Sequence, residues 1–118
     1  MITVKATREG LPGGRTASGW RINSQVPFVA LPSHAALWQW VRVTNPANGQ
    51  SIRARVLDVG PWNEDDDRYV WEGARPAAES GKDTRGRTTN GAGIDLGEHV
   101  WNALGMTGNT DVSWEFAP

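Results

Sequence analysis

The chain has 118 residues, enough for one modest hydrophobic core and too few for two independent ones, which argues against a hinged two-domain cleft. Its 12 lysines and arginines stand against 13 aspartates and glutamates, and the net charge of −1 exerts no long-range pull on nucleic acid or an anionic membrane surface. With no cysteine, disulfide scaffolds, thiolate zinc sites and cysteine nucleophiles are all excluded. Residues 1–10 lack the apolar run of a signal peptide and no segment has the length to span a bilayer, so a soluble chain without membrane insertion is expected.

Fourteen glycines and seven prolines describe a chain that turns often, as short-stranded β proteins do. Residues 1–7 alternate and are β-branched, predicting a first strand. Residues 10–19 hold four glycines and one proline around Thr16-Ala17-Ser18-Gly19, a loop that permits close backbone approach. Strands are predicted over residues 26–31, 38–44 and 51–59. The last two form a hairpin about residues 45–49, where Asn48-Gly49 offers the positive φ angles of a tight turn. Gly60-Pro61 ends that strand, and residues 63–91, without convincing periodicity, read as an insertion over one edge of a barrel. Leu96, Val100, Ala103 and Leu104 share a helical face, Asp95 and Glu98 have capping-box spacing, and Gly105 provides a stop. Val112, Trp114 and Phe116 alternate in a final strand.

Four segments in this order carry a resemblance: Thr16-Ala17-Ser18-Gly19; Val41-Arg42-Val43-Thr44-Asn45 with Asn48-Gly49; Val56-Leu57-Asp58-Val59-Gly60-Pro61-Trp62; and Ile94-Asp95-Leu96 running to Leu104-Gly105-Met106. Together they resemble the RlpA-like double-psi β-barrels and, more loosely, the expansins and MltA-type lytic transglycosylases. The resemblance implies a mainly β, six-stranded double-psi barrel as a single domain over residues 1–118, with one or two short helices and the insertion at 63–91. It also implies a groove for peptidoglycan glycan strands, action at the bacterial cell wall, and lytic transglycosylase chemistry, in which the bond between N-acetylmuramic acid and N-acetylglucosamine is broken without water to leave an anhydro-sugar. By the same resemblance Asp58 takes the position of the family's candidate acid, Asp95 that of the important aspartate of expansins, and Thr16 and Ser18 border the groove. Three positions depart from the pattern: Trp20 replaces an acidic residue, Val59 an arginine and Gly97 a serine.

Cleaving a glycosidic bond requires a proton on the leaving oxygen, and a transglycosylase can reuse the same carboxyl as base because its nucleophile belongs to the substrate. Asp58, at a strand end before Gly60-Pro61, is the candidate for that role, with Asp95 in support; bulky Trp62 nearby would raise its pKa by desolvation. Structural alternatives stand beside these roles. Asp95 could serve as a helix N-cap, and Asp58 could accept hydrogen bonds from loop amides. Of the seven tryptophans, Trp101 and Trp114 fall in phase with apolar neighbours and read as core, whereas Trp20 and Trp62 lie in glycine-containing loops where an indole can stack on a pyranose. Asn90 is grouped with them as a substrate contact.

The acidic run Glu64-Asp65-Asp66-Asp67 lacks the glycine and distal glutamate of a calcium loop and reads as a solvated loop. His34 and His99 have no triad or zinc pattern, and Arg75, Lys82, Arg85 and Arg87 make the insertion locally basic. No metal, cofactor or nucleic acid is expected, and the chain should be a monomer. Two non-catalytic readings stay open beside the enzyme: an expansin-like cell-wall glycan-binding module, and a structural component of a phage or secretion machine.

Overall fold

The computed structural model describes residues 1–9 and 14–118; residues 10–13 of the predicted glycine-rich loop lie outside the described residues. Six strands, β1 (Ile2–Arg8), β2 (Phe28–Leu31), β3 (Trp40–Thr44), β4 (Ser51–Val59), β5 (Ile94–Leu96) and β6 (Asp111–Phe116), close a barrel in the order β1-β5-β2-β4-β3-β6. β1 pairs parallel with β5 and β2 parallel with β4, while the other four ladders are antiparallel. Closure leaves no unpaired edge, so a chain this small can be mainly β without offering a strand to a neighbour.

The inward residues follow the period of two: Val4 and Ala6, Val29 and Leu31, Val41 and Val43, Ala54 and Val56, Ile94 and Leu96, Val112 and Trp114 are all buried. Each large aliphatic side chain withdrawn from water in this way contributes about 1.5–3 kcal/mol. Trp101, on the helix α2 (Glu98–Ala103), is also buried.

Four local features differ from the sequence expectation. The hairpin turn is not a two-residue turn, because only Gly49 has positive φ and the loop closes through Asn45 N–H to Gln50 O at 2.8 Å. β3 begins at Trp40, since Trp38 has φ of 73°. The N-cap of α2 is Gly97, without a side-chain capping bond, whereas Asp95 lies inside β5 and is no cap. Residues 63–91 contain a helix α1 (Asp67–Glu72) and a 3-10 turn (Ala77–Ser80), whose buried residues Tyr69, Val70 and Ala78 do not recur at helical spacing within either element. From α1, Tyr69 reaches the barrel, donating to Gly93 O and accepting from Trp114 Nε1, each at 2.8 Å.

No helix among the described residues is long and apolar enough to cross a membrane.

Candidate functional site

The site is organised by one register row. Thr7 on β1 is opposite Asp95 on β5, Asp95 is opposite Ala30 on β2, and Ala30 is opposite Asp58 on β4. Thr7 and Asp95 face outward because their neighbours Ala6, Ile94 and Leu96 face the core. Strict alternation would send Asp58 inward with Ala54 and Val56. A bulge prevents this: Val29 pairs with Val56 but Ala30 pairs with Asp58, so Leu57 is the extra residue and Asp58 turns to the outer face. With strands about 4.8 Å apart, the Asp58 and Asp95 backbones stand roughly 10 Å from each other across Ala30.

Asp58 is used as an acceptor. Its Oδ1 takes the N–H of Ala17 at 2.7 Å and its own neighbour Val59 N–H at 2.9 Å, tying the Thr16-Ala17-Ser18-Gly19 loop to the barrel. Within that loop the Thr16 and Ser18 hydroxyls are 2.8 Å apart, and Thr16 N–H donates to Trp20 O at 2.9 Å. The indole of Trp20 packs edge-on against Phe28, with centroids 5.0 Å apart, and is only partly exposed. Phe28 in turn occupies the space over Gly97: a Cβ built there would lie 2.4 Å from Phe28 Cε1. Two departures from the family pattern, Trp20 and Gly97, are thus linked through one phenylalanine.

A third carboxyl, which sequence reasoning missed, joins the pair. Glu9 extends the β1–β5 ladder by donating its N–H to Leu96 O at 2.8 Å, and it is in phase with Thr7. Its Oε2 is buried with no hydrogen-bond partner, close to the carboxyls of Asp58 and Asp95. Burial first, then the neighbouring Asp58 carboxyl and the charge of Asp95, push Glu9 up to about 10. Burial also raises Asp95 to about 6, with a contribution from Asp58, against the hydrogen bond donated by the Thr7 hydroxyl to Asp95 Oδ1. The phase of Glu9 with Thr7 was the one sequence signal available for it.

Beside this row lies an open hollow of about 470 Å³, lined by Thr7, Arg8, Asp95, Pro61, Trp62, Asn90 and Asn109. Asp58 is not part of its lining. Trp62 has φ of 70° and donates Nε1–H to Asn90 Oδ1 at 3.0 Å, while Arg87 holds its carbonyl at 2.9 Å. Asn90 is itself fixed, since its Oδ1 also accepts Ala92 N–H and its carbonyl accepts Lys5 Nζ. The structure therefore brings Asp95, Trp62 and Asn90 to one hollow and keeps Asp58, Thr16, Ser18 and Trp20 together in the adjoining loop contact.

The charged residues of the insertion mostly bind each other. Arg75 pairs with Glu79, Arg87 with Asp83 and Arg85 with Glu64, and Lys82 bonds Thr88. Asp65 pairs with His34, Asp67 accepts from Ser33 and Asp66 from Ala77 N–H, so the acidic run is tied down rather than freely solvated. Among the described residues no three His, Asp or Glu side chains come together as a metal-holding group.

The family model described as "Domain of unknown function (DUF8814)" matches residues 1–115. The chain is a member of the DUF8814 family. No curated protein matches the DUF8814 chain significantly. Among solved structures, 99% of the chain superposes on a Streptomyces papain inhibitor (TM-score 0.54, 19% identity, 94% of that chain). The same share superposes on cerato-platanin 3 from M. perniciosa (TM-score 0.58, 10% identity, 95% of that chain). It also superposes on an aspartate-to-asparagine mutant of the Clavibacter michiganensis expansin in complex with cellohexaose (TM-score 0.58, 20% identity). The DUF8814 chain spans about half, 51%, of that expansin. At these identities the likeness is one of fold, and the fold is the double-psi β-barrel type.

Proposed function

We propose that the DUF8814 chain is an expansin-like, non-catalytic glycan-binding module whose hollow takes a strand of linked pyranoses, with the glycan of peptidoglycan as its cell-wall ligand. The observation carrying this reading is that a locked, partly exposed indole, Trp62, and a carboxyl, Asp95, line one open hollow. An indole face suits the apolar face of a pyranose, and a carboxyl and an amide suit its hydroxyls. Asp58 supports binding over turnover, because its Oδ1 is already committed to two backbone amides. The expansin complex with cellohexaose, a β-linked hexose chain, gives a ligand of the same kind on the same fold.

A second reading, lytic transglycosylase, draws support from Asp95, whose burial raises it to about 6 and so keeps a proton available near neutrality. In that reading Asp95, rather than Asp58, protonates the leaving oxygen and later removes the proton of the sugar's own hydroxyl.

Co-sedimentation with purified peptidoglycan, followed by mass spectrometry of the soluble fraction, separates the two. The module reading expects binding that falls in Trp62→Ala and no new anhydro-sugar ends. Anhydro ends made by the wild type and lost in Asp95→Asn would replace it with the enzyme.

A further inference from the structure

Among the described residues only two non-glycine residues have positive φ, and both are tryptophans: Trp62 in the hollow and Trp38 outside it. Asparagine or glycine would hold such a backbone at less cost, so a tryptophan there is retained for its side chain. Trp38 is 49% exposed and yet rigidly placed, its N–H donating to Val56 O at 2.8 Å and its carbonyl accepting Arg55 Nε at 3.0 Å.

Around it the outer face of β3 and β4 carries an alternation of indoles and guanidiniums. Arg55 sits 5.4 Å from the Trp38 ring and 5.2 Å from the Trp40 ring, and Arg53 sits 4.2 Å over Trp40. Each guanidinium is anchored through Nε, Arg53 to Ala117 O at 3.1 Å and Arg55 to Trp38 O, and among the described residues the terminal nitrogens of neither make a hydrogen bond. Neither these two arginines nor the exposed Arg42 beside them enters an ion pair among the described residues, although Glu115 stands opposite Arg42 in register. A cationic fork that is held in place and has no carboxylate is a receptor for one.

We propose that this face, built from Trp38, Trp40, Arg53 and Arg55, binds a polyuronate, a polymer of pyranoses that each bear a carboxylate. The indole of Trp38 stacks on one sugar ring while the guanidiniums of Arg55 and Arg53 take the carboxylates. A nucleic acid strand fits less well. Its successive bases need successive free ring faces, and here Arg53 already covers Trp40, leaving Trp38 as the one half-exposed platform. The proposal does not rest on the reading of the hollow.

Calorimetric titration of hexagalacturonate and cellohexaose, equal in length and different in charge, tests it. Hexagalacturonate should bind the wild type at least tenfold more tightly than it binds Trp38→Asn or Arg55→Gln, and Arg55→Lys should fail to rescue because it lacks the fork. Trp38→Asn suits positive φ, so its thermal midpoint should not fall, which separates lost binding from lost folding. Cellohexaose affinity should be untouched by these variants and reduced in Trp62→Ala. If cellohexaose does not bind at all while the hexagalacturonate contrast holds, the hollow takes no plain hexose chain and this proposal stands. Equal hexagalacturonate affinity in wild type and Trp38→Asn, or tighter binding of a thymidine hexanucleotide, overturns it.

Discussion

Asp58 Oδ1 accepts the backbone N–H of Ala17 at 2.7 Å, a bond that joins residues 41 positions apart and fastens the Thr16-Ala17-Ser18-Gly19 loop to the end of β4. It makes Asp58 a clamp whose acceptor atom matters more than its charge.

Asp58→Asn, which keeps an Oδ1 acceptor, should therefore lose no more than about 1 kcal/mol of stability. Asp58→Ala strands both the Ala17 and Val59 amides and should lose about 2–3 kcal/mol. Urea denaturation of the two variants measures the difference. Similar losses in both would show that the charge, and not the acceptor, matters.

The carboxyl row predicts how stability changes with pH. Asp95 is raised from an ordinary 3.8 to about 6 and Glu9 from 4.5 to about 10, so between each pair of values the folded chain binds more protons than the unfolded chain. The stability contributed by these two groups is fully present below the ordinary values and is lost as pH rises, through about pH 6 for Asp95 and on toward pH 10 for Glu9. Glu9→Gln removes the larger slope and, over the interval from the ordinary 4.5 up to pH 7, should stabilise the chain at pH 7 by an amount on the order of 3 kcal/mol. Thermal midpoints of the two proteins from pH 4 to 9, about the range set by these shifts, should converge at the acid end and diverge at the alkaline end. Parallel curves would mean that Glu9 is ionised in the folded chain.

Asn90 is expected to act through Trp62. Trp62→Ala should weaken cellohexaose binding about tenfold, in line with the loss of one ring contact. Asn90→Asp keeps the oxygen that accepts the Trp62 indole N–H and should keep affinity, whereas Asn90→Ala frees the ring and should lose about threefold to fivefold, comparable to one modest hydrogen bond. An Asn90→Ala variant that binds like wild type would detach it from the site.

The contact between Phe28 and Gly97 sets a packing test. Gly97→Ser pushes a Cβ into the phenylalanine ring and should cost about 1–3 kcal/mol, the range for overpacking a closed core. Adding Phe28→Leu should recover part of that loss. Double-mutant analysis of the pair by chemical denaturation gives the coupling, and strict additivity would contradict the contact.

Much of the barrel was legible along the chain. Alternation in residues 1–7, 38–44 and 111–116, the short apolar run at 26–31 and the hairpin partner at 51–59 marked five of the six strands, and the order of four motifs supplied the closed topology. The second helix was also visible, although its start was displaced by two residues since Asp95 pairs in β5. Helix α1 was not visible, because its buried residues Tyr69 and Val70 are adjacent and give no helical repeat, and its anchor, Tyr69, finds its partners Gly93 and Trp114 only in space.

For the candidate site, the sequence by itself determined the ingredients: the aspartates 58 and 95, the loop at 16–19, the indole at 62 and the barrel that holds them. Only the tertiary structure decided their arrangement. The bulge at Leu57 turns Asp58 outward, pairing across Ala30 sets it in line with Asp95, and Glu9 arrives from the end of β1 to share their proton balance. These are relations between strands. A periodic pattern reports which face of its own strand a residue occupies, but the register between strands, and the desolvation that follows from it, depends on contacts among distant parts of the chain.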